Sequence, residues 1–203
     1  MHHGSVPHVG APDRSCRRAD QITRSSNVMI SPVVLHIATE ADVAEIAALR
    51  TAVAEDLSRQ FGHGHWSSVV TDRSVVRGMK HARVVIARGD DDVLLGTLRL
   101  ATKKPWAIDR RYFVDVPRPL YLTDMAVAPS RQRQGIGRQL IEHAKEVARA
   151  WPAQAIRLDA YDGLAGAGPF YVRCGFAEVG RVSYRGVPLI YYEWTAHDGG
   201  RKP

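Results

Sequence analysis

Cysteine and long apolar runs are both scarce in this 203-residue chain, and each shortage excludes a class of protein. Only Cys16 and Cys174 are present, too few for a disulfide framework or a four-cysteine zinc site. No apolar run approaches the roughly 20 residues of a membrane-spanning helix. Residues 1–10 carry histidine, glycine and proline where a signal peptide has its apolar segment. We therefore expect a cytoplasmic protein without membrane attachment or bound metal.

The composition indicates one globular domain with short extensions. Apolar residues make up 45% of the chain and charged residues 24%, the balance of a folded soluble domain. Residues 1–30 show no apolar periodicity and predict a poorly ordered extension. We expect the domain to span residues 31–197 and a tail to follow at 198–203.

The net charge of +7 raises the alternative of nucleic-acid binding. The chain has 28 basic and 21 acidic residues, but the basic residues are dispersed and no run of four or more occurs. Such a surface suits a small polyanionic ligand. We therefore expect no nucleic-acid partner; binding to DNA with a steep dependence on salt would contradict this expectation.

Hydrophobic periodicity predicts a mixed α/β sheet of six or seven strands with helices on both faces. The strand–helix–strand middle implies parallel pairing, and the hairpins on either side imply antiparallel pairing. The predicted order is βααβββαβαββ. Strands are expected at 33–37, 83–88, 93–101, 120–128, 156–160, 177–183 and 187–194, and helices from Thr39 to Gly62, over 69–81, over 135–150 and from about 166–169 to 175.

One segment carries the pattern of a phosphate-binding site. The strand at 120–128 leads into a loop of alternating arginine and glutamine, then Gly135 and Gly137, then an amphipathic helix. A helix N-terminus exposes unpaired N–H groups that bind phosphate, and glycine lets the backbone approach the anion. The third glycine of a dinucleotide fingerprint is replaced by Leu140, and the Gly-Lys of a P-loop is absent. The alternative is that the glycines only turn the chain into the helix.

Two motifs together resemble the GNAT family, the Gcn5-related N-acetyltransferases. The first is Gln/Arg-x-x-Gly-x-Gly/Ala, present as Gln132-Arg133-Gln134-Gly135-Ile136-Gly137. The second, about 30 residues later, is matched by Ala167, Phe170, Tyr171, Gly175 and Phe176. The resemblance covers about residues 33–194. It implies the GNAT fold, in which two central parallel strands splay apart, and acetyl-CoA as co-substrate.

The resemblance also implies which residues bind the co-substrate. Backbone groups of Met125, Ala126 and Val127 are expected to pair with the pantetheine arm. The pyrophosphate is expected at the helix N-terminus, and Ala167 and Phe170 belong to the second motif. The expected pyrophosphate residues are Gln132, Arg133, Gln134, Gly135, Ile136, Gly137 and Arg138.

The catalytic roles implied by the resemblance fall on three residues. Tyr171 matches the family tyrosine that protonates the departing thiolate; the alternative is that it only packs against the co-substrate. Asp159 lies where the branch that acetylates ribosomal-protein N-termini has a glutamate, and Asp124 lies on the first splayed strand. Either could accept the proton of the amine, with Asp159 preferred, or be a buried structural carboxylate.

The acceptor is expected to be a primary amine of a small molecule, amino acid or peptide. Its pocket is predicted from the first two helices and the loop at 104–118, with candidates His65, Trp66, Trp106, Tyr112, Phe113 and Tyr161. Leu164 departs from the family pattern, which has asparagine there. That departure motivates the alternative of a CoA-binding sensor without catalysis. A homodimer through the two closing strands is a further expectation.

Overall fold

Residues 33–196 are described by the computed structural model, and within them the predicted order of elements is confirmed. The predicted extension at 1–30 and tail at 198–203 lie outside the described residues. The described residues form seven strands and four α-helices. The elements are β1 (Val34–Ile37), α1 (Val43–Phe61), α2 (Asp72–Met79), β2 (Ala82–Arg88), β3 (Leu94–Ala101), β4 (Pro119–Val127), α3 (Ile136–Ala150), β5 (Ala155–Tyr161), α4 (Gly168–Arg173), β6 (Ala177–Tyr184) and β7 (Val187–Thr195).

The seven strands form one mixed sheet in the order β1-β2-β3-β4-β5-β7-β6. Neighbouring strands are antiparallel except for β4 and β5, which are parallel and are joined through α3. These two strands pair only at their beginnings, where residues 119–121 face residues 155–157. Beyond that point the strands separate, so the predicted splay between the central parallel strands is confirmed.

Helices cover both faces of the sheet. On one face α3 and α4 bury Leu140, Ile141 and Tyr171 against Leu98 and Leu158. On the other face α1 and α2 pack against β2, with a smaller cluster beside them where the loop after β3 covers the sheet. That smaller cluster contains Ile108, Phe113, Tyr121 and Tyr191. No helix of residues 33–196 is both long enough and apolar enough to span a membrane.

Local hydrogen bonds determine where the first two helices begin. The Asp42 carboxylate accepts hydrogen bonds from the backbone N–H and the hydroxyl of Thr39, at 2.7 and 3.0 Å, so a short 3₁₀ turn precedes α1. Helix α2 begins at Asp72 rather than at residue 69, because the Thr71 hydroxyl accepts a hydrogen bond from the Ser74 N–H at 3.3 Å and caps the helix there.

A buried ion pair fixes the long loop between β3 and β4. Arg157 of β5 and Glu193 of β7 face each other across the sheet, with 2.8 Å between Nε and Oε1. Both side chains also bind the backbone of Val114. Arg157 donates to the Val114 carbonyl oxygen, and the Val114 N–H donates to Glu193 Oε2 at 3.1 Å. The Tyr191 hydroxyl donates to Ala107 O. The loop is therefore an ordered wall on this face of the sheet.

Candidate active site

The opening between β4 and β5 begins beside a bulge in β4. Thr97 pairs with Ala126 and Arg99 with Thr123, so Asp124 and Met125 together lie opposite the single residue Leu98. Asp124 has a φ of 55°, in the left-handed region. A bulge of this kind bends its strand and re-aims the residues that follow it. The predicted residues Met125, Ala126 and Val127 lie on the part of β4 that has left β5.

The N-terminus of α3 follows this strand end and presents backbone donors. Gly135 precedes the helix with a φ of 85°, and Arg133 has a φ of 59°. The first helical hydrogen bond at this end runs from the Gln139 N–H to Gly135 O, at 3.1 Å. The preceding N–H groups, including that of Ile136, therefore point out of the helix end. This arrangement suits an anionic group.

Three side chains of the predicted phosphate site bind nearby carbonyl oxygens. Gln132 donates to Val127 O at 3.4 Å, and Gln134 donates to Ser130 O at 3.2 Å. Arg138 donates to Arg173 O, at the end of α4, at 3.2 Å. The predicted residues 132–138 thus lie together at one end of β4, where the N–H groups at the start of α3 could bind an anion.

Gly137 has a packing role that the motif alone did not reveal. A Cβ atom at this position would lie 3.2 Å from the Phe170 ring and 3.4 Å from Cε of Met125. The missing side chain lets α3 approach α4 and β4 closely. Two of the predicted co-substrate residues, Gly137 and Phe170, are therefore in direct contact.

Tyr171 lies at the centre of this arrangement. It is on α4, whose first turn contains Pro169 and whose N-cap is Ala167. Its side chain is buried, and its hydroxyl donates to Sδ of Met125 at 3.7 Å. Burial raises the pKa of Tyr171 well above its ordinary value, and the negative charge of Asp159 adds to that effect. The phenol therefore keeps its proton at neutral pH, as a tyrosine with an ordinary pKa also does.

Asp159 lies on β5 as a partly buried residue. Burial raises its pKa above the ordinary value, while the positive charge that His65 can carry opposes the rise. Burial conversely lowers the pKa of His65. No arginine or lysine of residues 33–196 offsets the effect of burial at Asp159, and a carboxylate with a raised pKa is suited to accept a proton.

The aromatic residues predicted to line the acceptor pocket lie in two groups. His65, Trp66 and Tyr161 form one cluster, with ring centroids 4.9 to 5.2 Å apart. Tyr161 is two residues after Asp159, so their side chains leave the same face of β5. The other group, Trp106, Tyr112 and Phe113, belongs to the ordered loop, where Trp106 and Tyr112 line a groove of about 560 Å³ together with Tyr191. Phe113 is buried beside Tyr191.

Asp124 differs from Asp159 in being fully paired. Arg50 Nη2 is 2.6 Å from Oδ1, and Arg99 Nε is 2.8 Å from Oδ2. Sequence analysis missed both arginines, because Arg50 is 74 residues from Asp124 and no local pattern joins α1 to β4.

Leu164 stands in the loop between β5 and α4. It is 95% exposed, so it fills no hydrophobic site within the described residues. The loop turns back tightly on β5: a Cβ atom at Gly166 would lie 2.0 Å from Tyr161 O. Glycine is therefore required at position 166 by the close approach of two backbone segments.

The sequence also matches known proteins. A family model described as the acetyltransferase (GNAT) family matches residues 46–176. Among solved structures, ribosomal-protein-alanine N-acetyltransferase from Brucella melitensis is 18% identical, with a TM-score of 0.62 over 80% of this chain and 99% of that chain. YncA from Salmonella typhimurium, solved with its cofactor acetyl-CoA, is 15% identical, with a TM-score of 0.61 over 83% and 96%. The ribosomal-protein-S18-alanine N-acetyltransferase from Escherichia coli is 15% identical, with a TM-score of 0.61 over 85% and 99%.

Proposed function

Because the chain belongs to the GNAT acetyltransferase family, we propose that it transfers an acetyl group from acetyl-CoA to a primary amine. One observation carries the proposal: three features meet at the same strand end. These are the parting of β4 from β5, the exposed N-terminus of α3, and the Tyr171 hydroxyl beside Met125. A thioester held in the opening would have backbone donors and a protonated phenol next to it.

The residues present suit acetyl-CoA as co-substrate. The N–H groups at the start of α3, with Arg133 and Gly135 in left-handed conformations, form a concavity for a pyrophosphate. Residues 125–127 offer strand-edge groups that β5 does not use. Acetyl-CoA supplies the activated acyl group, and all other chemistry comes from the chain.

Two residues of the chain would move protons. The acceptor amine must lose a proton before it can attack, and we assign this proton to Asp159, directly or through one water molecule. Tyr171 would donate its proton to the leaving thiolate and regain one from the attacking nitrogen, which loses its second proton as the amide forms. The amine attacks directly while both substrates are bound, so holding them together contributes to the rate.

The acceptor class follows from the family and stays broad. We propose a small-molecule amine, an amino acid or a peptide N-terminus that reaches Asp159 past the cluster of His65, Trp66 and Tyr161. Two of the similar structures carry names of ribosomal-protein-alanine N-acetyltransferases, which favours testing peptide N-termini first. Cytoplasmic location and a homodimer complete the proposal.

A second candidate function is a CoA-binding sensor without transfer activity. The exposed Leu164, where the family motif has asparagine, favours it. A sensor would bind coenzyme A, hydrolyse acetyl-CoA slowly and release no additional thiol with any amine.

Thiol release from acetyl-CoA, measured against a panel of amines and peptides, separates these functions. We expect Tyr171→Phe to lower kcat by about a hundredfold or more, since a general acid contributes that much, with little change in KM for acetyl-CoA. Tyr192→Phe is the matched control, because Tyr192 is also buried, with its ring 5.9 Å from that of Tyr171. Unchanged turnover in Tyr171→Phe would remove that residue from the mechanism.

A further inference from the structure

Asp124 combines a rare backbone conformation with an unusually complete set of charged partners. A φ of 55° is uncommon for a residue other than glycine, although aspartate tolerates it better than most. Residues in such conformations persist where the surrounding structure holds them. At Asp124, two arginine side chains hold the carboxylate.

Both oxygens of the Asp124 carboxylate are bound by arginines from different elements. Arg50 reaches Oδ1 from α1, and Arg99 reaches Oδ2 from β3. Arg99 Nε also donates to the Thr123 hydroxyl at 2.9 Å. The three charged side chains are 23% to 30% exposed, so solvent screens the pairs only in part.

Neither oxygen of this carboxylate is left without a partner. The two ion pairs connect α1, β3 and the bulge of β4 at one point. The bulge consists of Asp124 and Met125, so it leads directly into residues 126 and 127, and this part of β4 has separated from β5.

We propose that Asp124 is a positioning residue, whose carboxylate, held by Arg50 and Arg99, keeps the β4 bulge in the conformation that aims residues 125–127 at the acetyl-CoA thioester. The inference rests on the proposed function, since it concerns the same opening. It assigns Asp124 no proton transfer and leaves Asp159 as the base.

Two variants that both delete the carboxylate test this role. Asp124→Ala and Asp124→Gly lose the arginine contacts equally, but only glycine adopts a positive φ freely. We expect Ala to lower kcat/KM for acetyl-CoA by about a hundredfold, the scale of a misplaced reacting group, and Gly to retain roughly tenfold more activity than Ala. Equal losses in both variants, with the loss of the pH dependence of kcat/KM, would instead identify Asp124 as the base and overturn the proposal.

A double-mutant cycle gives a second test that does not require the alanine variant to fold. Arg50→Gln and Asp124→Asn each break the Arg50–Asp124 contact, so the double variant should lose no more activity than the more damaged single variant. Losses that multiply in the double variant would show that the two residues act independently. Thermal unfolding of each variant checks that the protein is folded.

Calorimetry with coenzyme A separates this inference from the proposed function, because it needs no acceptor. We expect Asp124→Ala to bind coenzyme A about tenfold more weakly than Asp124→Gly does. A wild-type protein that binds coenzyme A but acetylates no amine would contradict the proposed transferase alone. Equal affinities in the two variants would contradict the positioning role alone, and a wild type without coenzyme A binding would overturn both.

Discussion

Replacing Glu193 by glutamine tests whether the buried ion pair with Arg157 stabilises the sheet and the loop over it. The two side chains are 2% and 3% exposed, so solvent cannot replace the lost charge. In Glu193→Gln the Arg157 guanidinium keeps its charge but faces a neutral amide. In wild type, Arg157 Nε and the Val114 N–H bind separate oxygens of the Glu193 carboxylate. The glutamine amide offers only one oxygen to these two donors.

The magnitude follows from the cost of leaving one charge of a buried pair uncompensated. Removing one partner of such a pair destabilises a protein by about 3–5 kcal/mol. Each kcal/mol lowers the midpoint of thermal unfolding by roughly 2–4 °C in a domain of this size. We therefore expect the Tm of Glu193→Gln to fall by roughly 6–20 °C, and the urea midpoint to fall with it.

The double variant Arg157→Met/Glu193→Leu is the matched control. It removes both charges and retains apolar volume, and buried pairs replaced in this way often lose little stability. We expect it to recover a large part of the loss of Glu193→Gln. Urea unfolding of wild type, single and double variants gives the three free energies. A single variant within about 1 kcal/mol of wild type, below the range of such pairs, would refute the reasoning.

Two further predictions concern the site itself. Asp159→Asn should unfold at a higher temperature than wild type at pH 7. Burial raises the pKa of Asp159, so the wild-type protein loses folding stability as the pH rises from the ordinary pKa of 3.8 through the raised pKa. The gain should vanish below pH 3.8, where both states carry the proton, and equal Tm values at pH 7 would contradict it. Gly137→Ala should miss the roughly 1 kcal/mol that alanine normally gains in a helix, because its Cβ would crowd Phe170 and Met125; urea unfolding that shows the full gain would disprove this.

The catalytic candidates show how far local pattern extends. The spacing of the second motif identified Tyr171, and the structure places its hydroxyl beside Met125 of the first splayed strand. The sequence left both Asp159 and Asp124 as candidate bases on neighbouring strands, with Asp159 preferred. Their surroundings differ because residues distant in sequence decide them: Arg50 and Arg99 bind Asp124, while burial dominates at Asp159.

The predicted acceptor pocket shows what the sequence of a loop does not determine. Aromatic residues in loops are visible in the sequence, but which of them meet depends on how each loop is fastened to the sheet. Trp66 and His65 contact Tyr161 through the turn after α1, whereas Tyr112 and Phe113 contact Tyr191 because the ion pair and Tyr191 hold their loop.

The sequence by itself determined the order of elements and the glycine-led start of α3, because each depends on periodicity or on a motif of neighbouring residues; the parting of the two central strands was expected only from the family resemblance. Only the tertiary structure decided that Asp124 is bound by two arginines, that Gly137 is needed for contact with Phe170, and that a buried ion pair anchors the loop after β3. These features join groups that lie 25 to 79 residues apart in the sequence, on different elements, and the chain must fold before such groups meet.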